Sequence, residues 1–383
     1  MDTGTILHNL AGYLILVVAA LVVLATAGAT MRAFRSTRAP WRPDRWGLAG
    51  TASFVLLDGG VLGAMALLGW YFSSLVVPLL FLAGLRLSLG LLWLMAGSLA
   101  RRHSPEKNSL WGLAFFWALQ VLVLAVVVDA FWIEPFALTT TTVELPSPGL
   151  VRPLRIVHIS DLHVERTTPR EEAVLAQVAA LKADLIVLTG DYLNLGNLHD
   201  PIAVRETRAI LAQLQAPLGV YAVSGTVDSP ERMRLLFEGL PITVLDDQVV
   251  RLPPEQGGLY IVGVSNWYDR RDAEALQRLL ARIPPGSYIL LLYHTPDLIE
   301  TASVGGVDLY LAGHTHGGQI RLPFYGAIVT NSRYGKDYEA GLYHVGPTTL
   351  YVSRGLGMEG FVFTPRVRLF CPPELVVLDL QPR

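Results

Sequence analysis

The chain has 383 residues, a net charge of −2 at pH 7, and 52% hydrophobic residues, concentrated before about residue 135. This length suggests two domains, and the near-neutral charge gives no electrostatic basis for binding nucleic acid. The single cysteine, Cys371, excludes an intramolecular disulfide and a cysteine-based zinc site.

Four apolar stretches at the start of the chain are each long enough to cross a bilayer as a helix. They cover residues 10–30, 47–70, 75–100 and 110–133. The first connection carries five arginines, the third carries two arginines and a lysine, and the second carries no basic residue. The positive-inside rule therefore predicts a multi-pass cell-membrane protein whose C-terminal half is extracytoplasmic.

Two charged residues, Asp58 and Arg86, lie inside the second and third predicted spans, at equal distances from the turn near residue 72. In an antiparallel helical hairpin they share a depth, where an isolated charge is costly, so we expect them to form an ion pair. One such pair favours a structural role over transport or sensing, because transporters carry broken helices and repeated polar positions.

After about residue 145, short β-branched runs alternate with amphipathic helices. The predicted strands cover residues 155–160, 184–189, 219–224, 259–264, 288–293, 308–312, 348–353 and 375–380. Helices are predicted to begin at a capping box from Thr168 to Glu171, and at Asp200 and Ser229, each followed by proline. The pattern predicts an α/β domain over residues 154–383, a linker with an edge strand over 136–153, and a four-helix transmembrane domain over 1–135.

Polar residues follow several of the predicted strands, and together they supply two aspartates and four histidines. A pair of divalent cations for phosphoryl chemistry needs ligands of this kind. The two histidines in the glycine-rich loop are the most specific element, because glycine permits close approach of the backbone. In chain order the motifs are Asp161-x-His163, Gly190-Asp191, His294 and Gly313-His314-x-His316.

This ordered set resembles the calcineurin-like metallophosphoesterase superfamily, in its membrane-associated bacterial branch, over about residues 154–380. The resemblance implies a four-layer sandwich of two β-sheets flanked by helices, here preceded by the four-helix transmembrane segment. It also implies in-line attack on phosphorus by a metal-activated hydroxide. It further implies two divalent metal ions, one held by Asp161, His163, Asp191 and His316, the other by the bridging Asp191, His294 and His314.

The chain departs from the family pattern at the third motif. Where that pattern has Gly-Asn-His followed by Asp or Glu, this chain has Gly225-Thr226-Val227-Asp228. Thr226 replaces the amide that ligates the second metal, and its hydroxyl or a water is expected there. Val227 replaces the imidazole that, in the family, stabilises the transition state or protonates the leaving oxygen; general acid catalysis is worth roughly 10²–10⁴-fold. Asp228 remains a catalytic candidate beside Asp161 and Asp191.

Three interpretations of this motif stay open. The enzyme acts on good leaving groups, such as those of diesters and anhydrides; or His199 supplies the acid; or the site binds metal and phosphate without turnover. The leading prediction is a membrane-anchored phosphoesterase acting on a phosphorylated small-molecule or lipid substrate of the envelope. The alternative is a catalytically weakened metal-binding sensor or partner-binding protein. Mixed nitrogen and oxygen ligands admit Mn, Fe, Zn or Co.

Overall fold

The computed structural model describes residues 43–67, 76–103, 110–253, 258–267, 270–360 and 366–382. The predicted span over residues 10–30 lies outside this set. The chain divides into two compact units: one ends at Ile133 and also includes Gly360–Arg366, and the other comprises Glu134–Glu359 and Val367–Arg383.

The first unit contains three long apolar helices: α1 (Pro43–Leu67), α2 (Val76–His103) and α3 (Leu110–Val128). A π-helical turn, Asp129–Ile133, continues α3. By length and composition, the segments Gly47–Met65, Pro78–Leu99 and Gly112–Phe136 are long and apolar enough to cross a membrane. The helices predicted from residues 47, 75 and 110 are therefore present as candidate spans.

The predicted ion pair between Asp58 and Arg86 is confirmed. Nε and Nη2 of Arg86 donate to Oδ2 and Oδ1 of Asp58, each at 2.8 Å. The remaining arm of the guanidinium, Nη1, donates to the carbonyl oxygen of Gln120 at 2.6 Å and to its side-chain oxygen at 2.8 Å. All three side chains are buried. This bidentate pair joins α1 to α2, and Gln120 joins both to α3.

The second unit contains fourteen described strands and five α-helices. The strands are β1 (Thr139–Pro146), β2 (Leu154–Ile159), β3 (Leu185–Leu188), β4 (Val220–Ala222), β5 (Thr243–Val244), β6 (Gln248–Arg251), β7 (Tyr260–Gly263), β8 (Ile289–Leu292), β9 (Leu309–Ala312), β10 (Arg321–Leu322), β11 (Gly326–Ala327), β12 (Gly341–Val345), β13 (Thr348–Val352) and β14 (Glu374–Gln381). The helices are α4 (Pro169–Leu181), α5 (Pro201–Leu211), α6 (Pro230–Phe237), α7 (Arg270–Leu280) and α8 (Ile299–Val304).

Two six-stranded sheets form the centre of this unit. The strand order is β1-β14-β2-β3-β4-β5 in the first sheet and β12-β13-β9-β8-β7-β6 in the second. Strands β2 to β5 run parallel, as do β7, β8 and β9. All eight predicted strands are present, and β1 is the expected edge strand. The short β5 and β6, the hairpin β10–β11, β12 and the helices α7 and α8 were not predicted.

Alternating side chains build the four layers. In β2, Ile156 packs into a core shared by both sheets, whereas Val157 and Ile159 pack into a second core that includes residues of α4, α5 and α6. In β8, Leu290 faces the shared core, and Leu291 faces a third core with α7 and α8. Because strand side chains alternate between faces, each sheet is covered on both sides. The predicted sandwich of two sheets flanked by helices is confirmed.

The three predicted helix starts are also confirmed. Thr168 caps α4: its hydroxyl accepts from the Arg170 amide, and the Glu171 carboxylate accepts from the Thr168 amide at 2.8 Å. Asp200 and Ser229 cap α5 and α6, each followed by a proline in the first helical turn. These helices fix the direction in which the chain returns to each parallel strand.

Candidate metal centre

The six predicted ligands follow the carboxyl ends of β2, β3, β8 and β9, where parallel strands bring loops to a common edge. Their side chains are buried and form two groups. In each group, one ligand atom from every residue lies within 4.8 Å of the others. The groups are Asp161, His163 and His316, and Asp191, His294 and His314.

Asp191 lies between the two groups. Its Oδ2 is 3.6 Å from Nε2 of His163 and 3.2 Å from Nε2 of His294. Within the first group, the Nε2 atoms of His163 and His316 are 3.0 Å apart, and Oδ1 of Asp161 is 3.5 Å from Nε2 of His316. Asp191 therefore lies where a carboxylate that bridges two cations would lie.

These separations fit divalent cations. Two ligands that are each about 2.1 Å from one ion lie at most about 4.2 Å apart, so small movements close each group around a metal. Imidazole nitrogen and carboxylate oxygen together suit Mn, Fe, Zn and Co. The residues present therefore fit the metals that the fold implies, and the donor set selects none of them.

The backbone at five of the six ligands is left-handed. Asp161, His163, Asp191, His314 and His316 have φ between 42° and 68°. This region is unfavourable for residues other than glycine, and such strain persists only where the surrounding structure imposes it. The bends turn each side chain from its strand towards the shared edge.

Two glycines allow the loops to approach one another closely. A Cβ on Gly313 would collide with the Ser160 hydroxyl and with Oδ2 of Asp161. A Cβ on Gly225 would collide with Oδ1 and the amide nitrogen of Asp191. Any larger residue at either position would therefore push a predicted ligand out of place.

Hydrogen bonds indicate which ring nitrogen of two histidines would bind a metal. Nδ1 of His294 lies 2.6 Å from the carbonyl oxygen of Thr189, and because a carbonyl only accepts, Nδ1 carries the proton. Nε2 of His314 lies 3.0 Å from the carbonyl oxygen of Asn331, which assigns the proton there to Nε2. His294 is thus oriented to bind through Nε2 and His314 through Nδ1.

The buried groups shift one another's pKa values. Burial raises the pKa of Asp161 to about 6. Burial would lower the pKa of His294, but the charge and hydrogen bond of Asp191 outweigh it and raise the pKa to about 10. Burial and the neighbouring His294 lower the pKa of His314 to about 4. Since a cation competes with protons for these same ligands, metal affinity falls as the solution becomes acidic.

The third motif lies against Asp191. The Thr226 hydroxyl donates to Oδ2 of Asp191 at 3.0 Å, and the Val227 amide donates to Oδ1 at 3.0 Å. The predicted metal contact of Thr226 therefore remains a prediction, since its hydroxyl proton is directed to the carboxylate. Val227 itself is buried.

The Asp228 carboxylate accepts hydrogen bonds from backbone amides. Its Oδ2 accepts from the amides of Asp191 at 2.6 Å and Gly225 at 2.8 Å, and its Oδ1 from that of Tyr192 at 3.4 Å. Burial, and then the charge of Asp191, raises its pKa to about 7. These contacts hold the Asp191 loop in place, and the predicted catalytic role of Asp228 remains a prediction.

Sequence reasoning missed Glu359. This half-buried residue has a carboxylate oxygen within 4.8 Å of ligand atoms of His163 and Asp191. Burial, followed by the charges of Asp191 and Asp161, raises its pKa to about 7. The other candidates were marked by a polar residue just beyond an apolar strand, and Glu359 does not directly follow such a strand. The nearest sequence feature is the run Gly357-Met358-Glu359.

The other histidines considered from sequence do not join the described ligand groups. His158 is buried in β2, with Nε2 2.7 Å from the Thr189 hydroxyl, and burial lowers its pKa to about 3. It is a packed residue of this strand. His199 is exposed in the loop before α5. The guanidinium of Arg354 pairs with the Glu374 carboxylate at 3.1 Å.

Comparisons with known proteins identify the family to which this chain is similar. The sequence model of the calcineurin-like phosphoesterases matches residues 154–318. The uncharacterized metallophosphoesterase YkuE of Bacillus subtilis (strain 168) is 32% identical over 266 residues, covering 66% of this chain and 88% of that protein. The phosphodiesterase YaeI of Escherichia coli (strain K12) is 32% identical over 246 residues, covering 60% and 82%. The UDP-2,3-diacylglucosamine pyrophosphatase LpxG of Chlamydia muridarum (strain MoPn / Nigg) is 25% identical over 327 residues, covering 68% and 95%.

The fold and the paired ligand groups define a metal-dependent phosphoric ester hydrolase. The chain belongs to the calcineurin-like phosphoesterase family. The fold implies divalent metal ions, and the apolar helices that precede it suggest association with a membrane.

Proposed function

We propose that the protein is a membrane-anchored dinuclear-metal phosphoesterase that hydrolyses phosphodiesters or phosphoanhydrides, including lipid-linked ones. The convergence of six buried ligands in two groups around Asp191 carries this proposal. When bound, divalent cations supply Lewis-acid polarisation of the phosphoryl oxygens and an activated water. The carboxylates of Asp191 and Asp161 would supply negative charge to these cations. The histidines, which their loops hold in place, would supply the nitrogen ligands.

The third motif supports a preference for good leaving groups. At position 227 a buried valine stands where the family pattern has a proton donor, so the side chain there cannot protonate a departing alkoxide. Leaving groups of low pKa, as in aryl diesters and phosphoanhydrides, need little protonation and lose least. His199 is exposed and lies outside the described ligand groups, which argues against it as a substitute acid.

An apolar hairpin beside the histidine loop supports a lipid-linked substrate. The hairpin of strands β10 and β11 follows the turn that contains His316 and Gln319, and the turn between the two strands leaves the Phe324 side chain fully exposed. Its neighbours Leu322, Tyr325 and Val329 are also exposed. A Cβ on Gly318 would press against Ala327, so the hairpin packs directly on the histidine loop. Exposed apolar surface beside a catalytic centre suits acyl chains. The relative from Chlamydia muridarum is named for a diacylated pyrophosphate substrate.

The membrane topology belongs to the same proposal. The three described apolar helices support anchoring, and the arginine distribution supports a site on the extracytoplasmic side. A cysteine at Val304, which is 93% exposed, tests the orientation in intact cells, because the native Cys371 is buried. Labelling of Val304→Cys by a membrane-impermeant maleimide is expected; labelling only after lysis would contradict the orientation.

One biochemical experiment tests the activity. The detergent-solubilised full chain is analysed for bound metal and for Mn-stimulated hydrolysis of a chromogenic diester, a chromogenic monoester and a diacyl pyrophosphate lipid. We expect diester and anhydride hydrolysis to exceed monoester hydrolysis by at least tenfold, and His316→Ala to lose both metal and turnover. Metal binding without turnover of any of the three would favour the weakened sensor that the Gly225-Thr226-Val227-Asp228 motif suggests instead.

A further inference from the structure

The loop that carries Glu359 is attached to the loops that carry the ligands. The Gly357 amide donates to the carbonyl oxygen of Asp161 at 2.6 Å, in the first ligand loop. The Asn194 side chain, in the loop that follows Asp191, donates to the carbonyl oxygen of Met358 at 2.9 Å. These two successive residues are thus fixed to two different parts of the metal centre.

Glu359 itself is fixed to the third ligand loop. The Gln319 side chain donates to the carbonyl oxygen of Glu359 at 2.6 Å and accepts from its amide at 2.9 Å. Gln319 follows directly after the turn that contains His314 and His316, and its own backbone is left-handed with φ of 54°. The two hydrogen bonds hold the backbone of Glu359 in a single orientation relative to the histidines.

A buried arginine makes the base of this loop rigid. Arg368 is fully buried and directs its guanidinium at backbone carbonyl oxygens. Nη2 donates to Arg354 at 2.9 Å, Gly355 at 3.0 Å and Gly357 at 2.6 Å, and Nη1 donates to Cys371 at 2.9 Å. These charge-assisted bonds fix the backbone that leads to Glu359, so its carboxylate lies next to a firmly held segment.

We infer that Glu359 is an additional metal ligand, bound to the cation that His163 and Asp191 also hold. This inference rests on the proposed function. The ligand atoms of the three residues lie within 4.8 Å of one another, which small side-chain movements reduce to the spacing around one ion. The third motif has exchanged an amide oxygen for the Thr226 hydroxyl, which donates to Asp191. Glu359 adds an oxygen donor to the first of the two cations from a different loop, and so raises the number of oxygen ligands in the centre without replacing the amide at the second cation.

The added carboxylate also affects which phosphates bind. Asp161, Asp191 and Glu359 together place three negative charges against two divalent cations, so the centre is less positive than a two-carboxylate site. A phosphomonoester carries about two negative charges at neutral pH and a diester carries one, so the monoester loses more attraction. Glu359 therefore selects for diesters and anhydride linkages with a singly charged reacting phosphate.

The test compares Glu359→Gln with Glu274→Gln in the detergent-solubilised full chain. Glu274 is exposed on α7 and provides the same change of charge outside the centre. Three quantities are measured: the metal that stays bound after dialysis, the Mn²⁺ affinity, and the Co²⁺ absorption spectrum. The Mn²⁺ affinity is obtained by titration, with free Mn²⁺ followed by electron paramagnetic resonance. We expect E359Q to weaken one of two Mn²⁺ sites by about 10–100-fold and to change the Co²⁺ spectrum. The ratio of monoester to diester turnover should rise at least tenfold, while E274Q matches the unaltered protein in every measurement.

Each outcome decides something different. Wild-type Mn²⁺ affinity and an unchanged Co²⁺ spectrum in folded E359Q would overturn the inference and leave the proposed function standing. Failure of the unaltered protein to bind metal would contradict the proposed function itself. If E359Q unfolds, Glu359→His decides instead: an imidazole in the coordination sphere changes the Co²⁺ spectrum, and an identical spectrum overturns the inference.

Discussion

Asp228 provides the sharpest test of how the metal centre is built. Its carboxylate accepts two short hydrogen bonds from the amides of Asp191 and Gly225. Alanine at this position leaves two buried N–H groups without an acceptor, each costing about 1–3 kcal/mol, so we expect Asp228→Ala to destabilise the loop by about 2–6 kcal/mol. Asparagine retains one carbonyl oxygen, which can accept both bonds. Since burial raises the pKa of Asp228 to about 7, a neutral amide is a close substitute.

The two variants therefore separate positioning from chemistry. If Asp228 positions the Asp191 loop, Asp228→Asn keeps metal content and diester turnover within about tenfold of the unaltered protein, whereas Asp228→Ala loses metal and unfolds at lower temperature. Bound metal, chromogenic diester kinetics and thermal unfolding in detergent measure these effects. Full metal occupancy in both variants, with turnover lost equally in both, would refute the positioning argument and make the carboxylate charge a participant in catalysis.

Three further predictions follow from buried groups. Because Asp58 and Arg86 form a buried pair, Asp58→Asn and Arg86→Gln should each cost about 3–5 kcal/mol, and the double variant should recover most of this; additive losses in detergent unfolding would contradict the pairing. Val227→His should raise phosphomonoester turnover by about 10²-fold or more with little change for diesters, and an unchanged monoester rate in steady-state kinetics would show that the missing acid does not limit hydrolysis. His158 has a pKa of about 3 when folded and 6.5 when unfolded. The contribution of neutral His158 to the free energy of unfolding is therefore complete above pH 6.5, and it falls by about 1.4 kcal/mol for each pH unit below that value. His158→Leu should make the free energy of unfolding depend less steeply on pH. An unchanged pH dependence would contradict a buried neutral imidazole.

The convergence of the six candidate ligands was predictable because each lies just after a strand that the sequence marks clearly. Runs such as Leu185–Leu188 and Ile289–Leu292 are wholly apolar, and a polar residue just beyond them lies at the edge of a parallel sheet. The ion pair between Asp58 and Arg86 was predictable for a similar reason, since a charge inside an apolar span requires a partner. In both cases a clear apolar pattern made the polar residue within or just after it easy to recognise.

The features that escaped prediction depend on contacts between distant segments. Glu359 does not directly follow a predicted strand, and its loop is brought to the centre by hydrogen bonds to distant segments that include Asp161, Asn194 and Gln319. The backbone contacts of Asp228 are likewise tertiary, so its sequence neighbours suggested catalysis where the structure favours positioning. Strand β12 has alternating exposure at the edge of its sheet, and such short edge strands carry little apolar signal.

The left-handed bends at five ligands have a consequence for the life of the protein in a cell. Each bend costs about 1–3 kcal/mol whether or not an ion is present. Glycine would relieve that cost at once, but it would also delete the ligand. Bonds to cations offset part of this cost, because an ion that binds the native state alone stabilises it by mass action. The amount of this protein in a cell therefore depends on the supply of cations. When metal is scarce, the strain at these residues is not offset, the chain unfolds locally more often, and proteases cleave it more easily.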